Sequence, residues 1–242
     1  MPRDDQKTIL FAAVVCVVCS LILSATAAVL KDRQNRNADM NRKRNVLQAF
    51  GVQVTSEKGD RIVSDEEVDG YFSANISEVI LNGETGDIIP DLTSNDLSRK
   101  EKKLKTRLPL YLWTENGAVT KYAFPISGRG LWSTIHGYLA LQKDLATVIG
   151  ATFYKHGETP GLGGECSEPW FLENFQGIEL WEAGKLLPFQ VVKNGVDSRY
   201  PEGCNHCVDG IAAATITSNG IQKFVREDMA KYNKYFDSIR GS

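Results

Sequence analysis

The chain is short of the groups that most often carry catalysis by themselves. It has three histidines and five cysteines in 242 residues. His136 and His156 stand at no recognisable spacing from a nucleophile, and no Ser-His-Asp, paired-carboxylate or His-Glu-x-x-His pattern occurs. Those absences exclude hydrolytic and zinc-protease chemistry as readings of the motifs. A Walker loop ending in Lys-Ser or Lys-Thr is missing, and so is G-x-G-x-x-G, which removes the two commonest nucleotide-binding signatures. Neither sign of charge is in excess: the formal net charge is -2, and no basic stripe with interleaved aromatics appears beyond one cluster near residue 40. Nucleic acid is therefore not an expected partner. Internal repeats and low-complexity tracts are absent as well.

What is present begins with one long apolar run. Residues 9–30 contain no charge and no proline, and about 20 apolar residues suffice to cross the hydrocarbon core of a bilayer. A secretory signal peptide is the alternative, because the run closes on Ala25-Thr26-Ala27, but signal cores are shorter than this one. The expected division is an N-terminal tail (1–8), a transmembrane anchor (9–30), a juxtamembrane helix and connecting region (31–105) and a folded domain (106–242). Arg3 and Lys7 precede the anchor, whereas Lys31, Arg33, Arg36, Arg42, Lys43 and Arg44 follow it. By the positive-inside rule alone, that asymmetry puts the large domain in the cytoplasm. The basic cluster also suits contact with lipid headgroups. The anchor carries no acid, so it offers no path for an ion.

The rest of the chain is long enough for a real apolar core. Gly51 is expected to stop the juxtamembrane helix. Residues 64–81 read as an edge helix or strand followed by a linker, with turns at Asn82-Gly83 and Thr85-Gly86, and residues 94–105 as a charged surface loop or helix. Asn116-Gly117 between the runs 108–114 and 119–125 is a strong hairpin signal. Residues 131–141 and 148–154 supply further antiparallel strands. Helices are expected at about 170–175 and 220–236, the latter with Ile221, Phe224, Val225 and Met229 on one face. Strands grouped before helices make the fold class α+β, a central antiparallel sheet with flanking helices, and not a doubly wound sheet.

Two segments carry chemistry. In Lys155-His156-Gly157-Glu158-Thr159-Pro160-Gly161-Leu162-Gly163-Gly164-Glu165, the glycines let backbone approach a flat or anionic ligand, with Glu158 and Thr159 as polar groups at its edge. The same loop also reads as a structural turn. In Asp209-Gly210-Ile211-Ala212-Ala213-Ala214-Thr215-Ile216-Thr217-Ser218-Asn219-Gly220, three hydroxyls lie ahead of the last helix, whose N-terminus favours anions. Thr217 or Ser218 also suits an N-cap. Of the cysteines, Cys16 and Cys19 fall in the anchor, and Cys166, Cys204 and Cys207 remain. Cys204-Asn205-His206-Cys207 is not a haem attachment, because Val208 follows. It reads as a local disulfide or as half of a metal site that Cys166 and His206 would complete; without a second C-x-x-C no metal is assigned.

These two segments, together with Gly130-Leu131-Trp132-Ser133, Gly137-Tyr138 and the anchor, resemble the C-type subunit of the sodium-translocating NADH:quinone oxidoreductase. The resemblance runs over essentially the whole chain. It implies an FMN-binding domain whose FMN is joined by a phosphoester bond to a threonine, here Thr215, by a flavin transferase that reads Asp-Gly-x-Ser/Thr-Gly-Ala-Thr. Asp209, Gly210, Ala214 and Thr215 match that pattern; Ala212 and Ala213 replace its hydroxyl residue and its second glycine. It further implies that Glu158, Thr159, Gly161, Leu162 and Gly163 contact the isoalloxazine ring and ribityl chain. Trp132 would border the same pocket, with core packing in a sheet as its alternative role. The implied function is an electron relay that is not catalytic alone, working with the A, B, D, E and F subunits of a sodium-pumping complex in the bacterial inner membrane. The implied location of the domain is periplasmic, against the charge count. Two alternatives are the G subunit of a ferredoxin:NAD oxidoreductase complex, disfavoured by the long segment ahead of the sheet, and a structural subunit without flavin, suggested by Ala212 and Ala213.

Overall fold

The computed structural model describes residues 3–54 and 64–240. Two units divide the chain at residues 42 and 43. The first is formed by helix α1 (Arg3–Ala49) up to residue 42. Among the described residues, α1 is the one helix long and apolar enough to cross a membrane. Its apolar side chains are exposed, Leu10, Phe11, Leu23 and Val29 each by more than 60 %. A surface of that kind is stable against lipid, not water. Ser20 and Thr26 donate their hydroxyl hydrogens to the carbonyls of Cys16 and Ile22, both at 2.7 Å, so neither hydroxyl needs a partner from outside the helix.

The second unit begins with the last turns of α1. Gly51 (φ 83°) closes that helix in a Schellman arrangement: its N–H donates to the Gln48 carbonyl at 2.9 Å and that of Val52 to the Leu47 carbonyl at 3.0 Å. Helix α2 (Asp65–Asn75) starts on a capping box between Ser64 and Glu67 and runs directly into strand β1 (Ile76–Asn82). Strand β2 (Ile88–Ile89), helix α3 (Arg99–Leu104), which has its own Ser98–Glu101 capping box, and strands β3 (Arg107–Glu115), β4 (Ala118–Arg129), β5 (Thr134–Gln142) and β6 (Val148–Lys155) follow. They form one antiparallel sheet in the order β2-β1-β3-β4-β5-β6. The β3–β4 turn is the expected Asn116-Gly117, both at positive φ (51° and 78°). Residues 64–81 are thus helix and then an inner strand. Strands β1 and β2 join the main sheet although they lie ahead of the boundary expected at residue 106.

After β6 come a turn of 3-10 helix (Gly163–Ser167), α4 (Pro169–Glu173), the small hairpin β7 (Trp181–Glu182) and β8 (Lys185–Leu186), β9 (Gln190–Val192), α5 (Val196–Arg199), β10 (Cys207–Asp209) and α6 (Thr215–Arg240). Strand β10 runs parallel to β9. Helix α6 lays Ile221, Phe224, Val225, Met229, Tyr232 and Phe236 on one face of the sheet, with Phe124 and Tyr232 ring centroids 4.4 Å apart. The other face is covered by α2 and the end of α1, where Phe72 meets Tyr111 and Phe50 meets Trp113 edge-on.

One charged group is sunk beneath α6. Asp228, almost wholly buried, accepts hydrogen bonds from Lys105 Nζ at 2.5 Å and from the Ser127 N–H at 2.8 Å, which pins α6 to β4 and to the end of α3. Burial pushes the Lys105 pKa down, and the attraction of Asp228 only partly offsets it.

Helix α6 starts five residues before the expected Gly220. The Thr and Ser residues are its first turn, not a loop ahead of it. Gly220 lies inside the helix because α6 crosses β4 closely there: a Cβ at 220 would run into the Arg129 carbonyl oxygen. The glycine marks a crossing and not a boundary.

Candidate functional site

Three connections meet at one end of the sheet: the β4–β5 link (residues 130–133), the glycine loop after β6 (residues 156–164) and the turn from β10 into α6 (residues 210–214). Together with the first turn of α6 they enclose a cleft of about 440 Å³, lined by Leu131, Trp132, Glu158, Thr159, Leu162, Gly163 and residues 213–217. That volume lies in the range usual for small-molecule sites.

Glu158 holds the three connections together. Its Oε1 accepts from the N–H groups of Trp132 (3.0 Å) and Ser133 (3.1 Å); its Oε2 accepts from the Leu131 N–H (3.0 Å) and the Thr217 hydroxyl (2.7 Å). Only 5 % of the residue is exposed. Burial alone would raise its pKa, but the Thr217 hydroxyl and the three N–H donors outweigh it, and the carboxyl titrates below the ordinary glutamate value. Both oxygens are thus committed to protein donors. As a polar group free to meet a ligand edge, the role expected from the sequence, Glu158 is superseded by a strut.

That strut explains two glycines. A Cβ at Gly163 would lie 2.6 Å from Thr217 Oγ1, and one at Gly130 would lie 2.7 Å from Glu158 Oε1. The glycine loop is braced from its other side by His156, whose Nδ1 accepts from the Glu158 N–H at 3.3 Å while Nε2 meets Ser167 Oγ at 3.1 Å. Since the Ser167 hydroxyl donates to the Gly164 carbonyl at 3.0 Å, this pattern fits the Nε2–H tautomer. Ser133 ties the first two connections, its Oγ accepting from the Gly157 N–H at 2.6 Å. Cys166 lies buried just behind the loop; burial, with the Glu158 charge adding, pushes its thiol up to about 12.

The third connection is fixed by its own bonds. The Gly210 N–H donates to the Val192 carbonyl at 2.8 Å, and the Ile211 N–H donates to Ser218 Oγ at 3.1 Å. Ser218 and Thr217 are therefore committed inside the first turns of α6, and neither caps the helix. The residue before α6 is Ala214, which has no side-chain oxygen and so cannot cap the N–H groups that open the helix. Thr215 is the first residue of α6 and is exposed at the cleft. Ala213, where the sequence pattern calls for glycine, sits at φ 54°. The turn keeps the left-handed geometry of a glycine with an alanine in it.

Of the residues expected from the sequence, Trp132, Glu158, Thr159, Leu162, Gly163, Ala214 and Thr215 line this cleft. Gly161 and Asp209 do not. Gly161 is at the exposed bend of the loop (φ 73°), and Asp209 is turned to the Val196 N–H, which donates to its Oδ1 at 2.6 Å. Trp132 is 65 % exposed, so core packing is not its role. Leu131, Ala213, Ile216 and Thr217 complete the lining. Ile216 was detectable: it falls off the buried stripe of α6 and is 60 % exposed. A lining that combines the apolar Leu131, Trp132, Leu162 and Ile216 with the hydroxyls of Thr159 and Thr215 at a helix N-terminus suits a flat ring carrying an anionic tail.

Cys204 and Cys207 form a disulfide, with Cα atoms 5.5 Å apart. Cys166 is in the core behind the glycine loop and takes no part in that pair.

A protein-family model described as FMN-binding domain matches residues 130–229. The chain is similar to the C subunit of the Na(+)-translocating NADH-quinone reductase of Pseudomonas aeruginosa, 34 % identical over 243 aligned positions that cover 92 % of this chain and 90 % of that protein. Its counterpart in Vibrio campbellii is 30 % identical, covering 90 % of this chain and 87 % of that one. Among solved structures, Shewanella oneidensis NqrC superposes with a TM-score of 0.72 at 26 % identity, covering 87 % of this chain and all of that one. The C subunit from Parabacteroides distasonis gives 0.70 at 26 % identity, covering 85 % and 96 %.

Proposed function

We propose, from the premise that this chain belongs to the NqrC family, the C subunits of the Na(+)-translocating NADH-quinone reductase, that it is a membrane-anchored electron relay whose FMN is esterified to Thr215. When bound, FMN supplies electron transfer between neighbouring centres. The chain's own part is to hold the flavin and exclude water. The cleft at the start of α6 carries this reading: it places an exposed threonine hydroxyl at a helix N-terminus, where a phosphate is favoured, beside an apolar rim fit for an isoalloxazine ring. Trp132 and Leu162 would cover the ring, Thr159 and the Gly163 backbone would meet its polar edge, and the first N–H groups of α6 would face the phosphate.

The replacement of glycine by Ala213 does not tell against esterification, since the turn retains its left-handed residue, and Ala212 is exposed. Asp209 would serve maturation by holding β10 to the 195–199 turn, as part of the surface the flavin transferase reads.

The domain is proposed to stand on the outer face of the inner membrane, in a complex with the other subunits of the reductase. The basic residues after the anchor point the other way by count, but docking to partner subunits can override so weak a bias, and three of them are engaged by acids of this chain. Arg42 pairs with Asp39 at 2.6 Å, Lys43 with Asp69 at 2.5 Å and Arg44 with Asp65 at 2.8 Å.

Intact-mass measurement after coexpression with a flavin transferase tests the attachment. The expected result is a gain equal to FMN less one water in the wild type and none in Thr215→Ala, which alters an exposed side chain and leaves the fold intact. An unmodified wild-type mass would refute covalent attachment. Protease accessibility on sealed cells tests the orientation: cleavage of the domain from outside is expected.

A further inference from the structure

A second cleft, of about 380 Å³, opens where the turn ahead of β10 meets the β7–β8 hairpin, and its lining includes Glu179, Glu182, Tyr200, Cys204 and His206. At its wall, Cys204 and His206 come together with the buried Cys207 behind them: the two sulfurs and a ring nitrogen of His206 lie within 4.8 Å of one another. Among the described residues, the His206 imidazole and the carboxylates of Glu179 and Glu182 have no hydrogen-bond or ion-pair partner. A soft donor set in a cleft that also holds two unengaged acids has no use in the flavin site.

We propose that Cys204, His206 and Cys207 are a redox-gated metal site: closed by the disulfide when oxidised, and when reduced a site for a borderline divalent ion of the zinc class. The proposal stands apart from the flavin reading and does not rest on it. Two thiolates and an imidazole select zinc-like ions over magnesium or calcium, which demand oxygen ligands. In a tetrahedral site with Zn–S near 2.3 Å, neighbouring donor atoms stand roughly 3.5–4 Å apart, so the observed cluster needs only local adjustment once the sulfurs part. Glu179, Glu182 or a water would supply the fourth ligand from the open side.

The two states exclude each other by chemistry. Reduction by a thiol or phosphine breaks the sulfur–sulfur bond, delivering two electrons, and leaves two thiols after uptake of two protons. Metal binding then displaces both thiol protons to solvent; return to the disulfide requires the ion to leave and a two-electron oxidant, such as a disulfide, to take the electrons. Either state closes the turn that feeds β10; the reduced, metal-free chain alone has that turn unlocked.

The test uses the full chain in detergent, reduced with a phosphine, desalted without air and titrated with Cd2+ as the probe. Expected are one ion per chain, a thiolate-to-cadmium absorbance, displacement by Zn2+ and no such band in the oxidised protein. The double variant Cys204→Ser/Cys207→Ser retains Cys16, Cys19 and Cys166 and so reports any background; it should lose the band. His206→Gln keeps both thiols and should weaken binding by more than the roughly tenfold cost of losing an outer-shell partner. A reduced wild type that binds no more cadmium than the double variant overturns the site. So does a His206→Gln protein of unchanged affinity, provided that circular dichroism shows both variants folded.

Discussion

Replacing Ala213 by glycine is expected to raise the melting temperature of the protein, although the change removes a side chain and loosens the unfolded chain. At φ 54° an L-residue crowds its Cβ against the following carbonyl oxygen, at a cost of about 1–2 kcal/mol that glycine does not bear. Against this stands the greater freedom of glycine in the unfolded state, about 0.4–1 kcal/mol. Ala213 is exposed, so its methyl contributes little burial to be lost. The balance is a gain of about 0.5–1 kcal/mol, which for a domain near 200 residues is roughly 1–4 °C. Thermal unfolding followed by circular dichroism, at fixed detergent and flavin content, reads it. The neighbouring Ala212→Gly is the internal control: it too is exposed but has no positive φ to relieve, so it should lower the melting temperature. A fall for Ala213→Gly, or the same sign for both variants, would refute the strain argument.

Glu158→Gln should destabilise the protein by about 3 kcal/mol, because an amide offers one acceptor oxygen where four donors converge and turns its NH2 against part-buried donors. The carboxyl of Glu158 has a folded pKa below its ordinary value, so its contribution is present above about pH 4 and is lost as pH falls through the folded value; acid melting curves should drop more steeply for wild type than for Glu158→Gln. Asp228→Asn should cost about 3 kcal/mol in urea unfolding, since it strands the part-buried Lys105 ammonium. Cys166, with its thiol near 12 and no exposure, should resist alkylation in the native protein and react only after denaturation, as peptide mass spectrometry would show.

Local rules carried much of the fold. Asn116-Gly117 named its hairpin because a two-residue turn of that hand needs two positive-φ residues, and Gly51 named the end of α1 for the same reason. The apolar stripe of α6 was legible from Ile221 onward because helical spacing is a short-range property. What escaped was decided at long range. Gly220 reads locally as a break, and only the passage of Arg129 across it explains its place inside a helix. The parallel pairing of β9 with β10 leaves no mark in either strand alone. In the site, both chemistry-bearing loops were visible as glycine-rich or hydroxyl-rich segments, but the use of Glu158 was not. Its four donors come from residues 131–133 and 217, separated from it by 25 to 59 positions in the chain.

The strut at Glu158 also ties separate positions into one heritable unit. Gly130 is bare because the Glu158 carboxylate occupies the space a side chain would need, Gly163 because the Thr217 hydroxyl and then that carboxylate do, and Thr217 is a hydroxyl because the carboxylate needs a fourth donor. Shortening residue 158 to aspartate would open room beside Gly130, leave Gly163 still facing the Thr217 hydroxyl, and deprive Thr217 and the 131–133 backbone of their acceptor. Substitutions at these four places should therefore be strongly non-additive. Along descent they should change together or stay as they are, even where the rest of the cleft drifts.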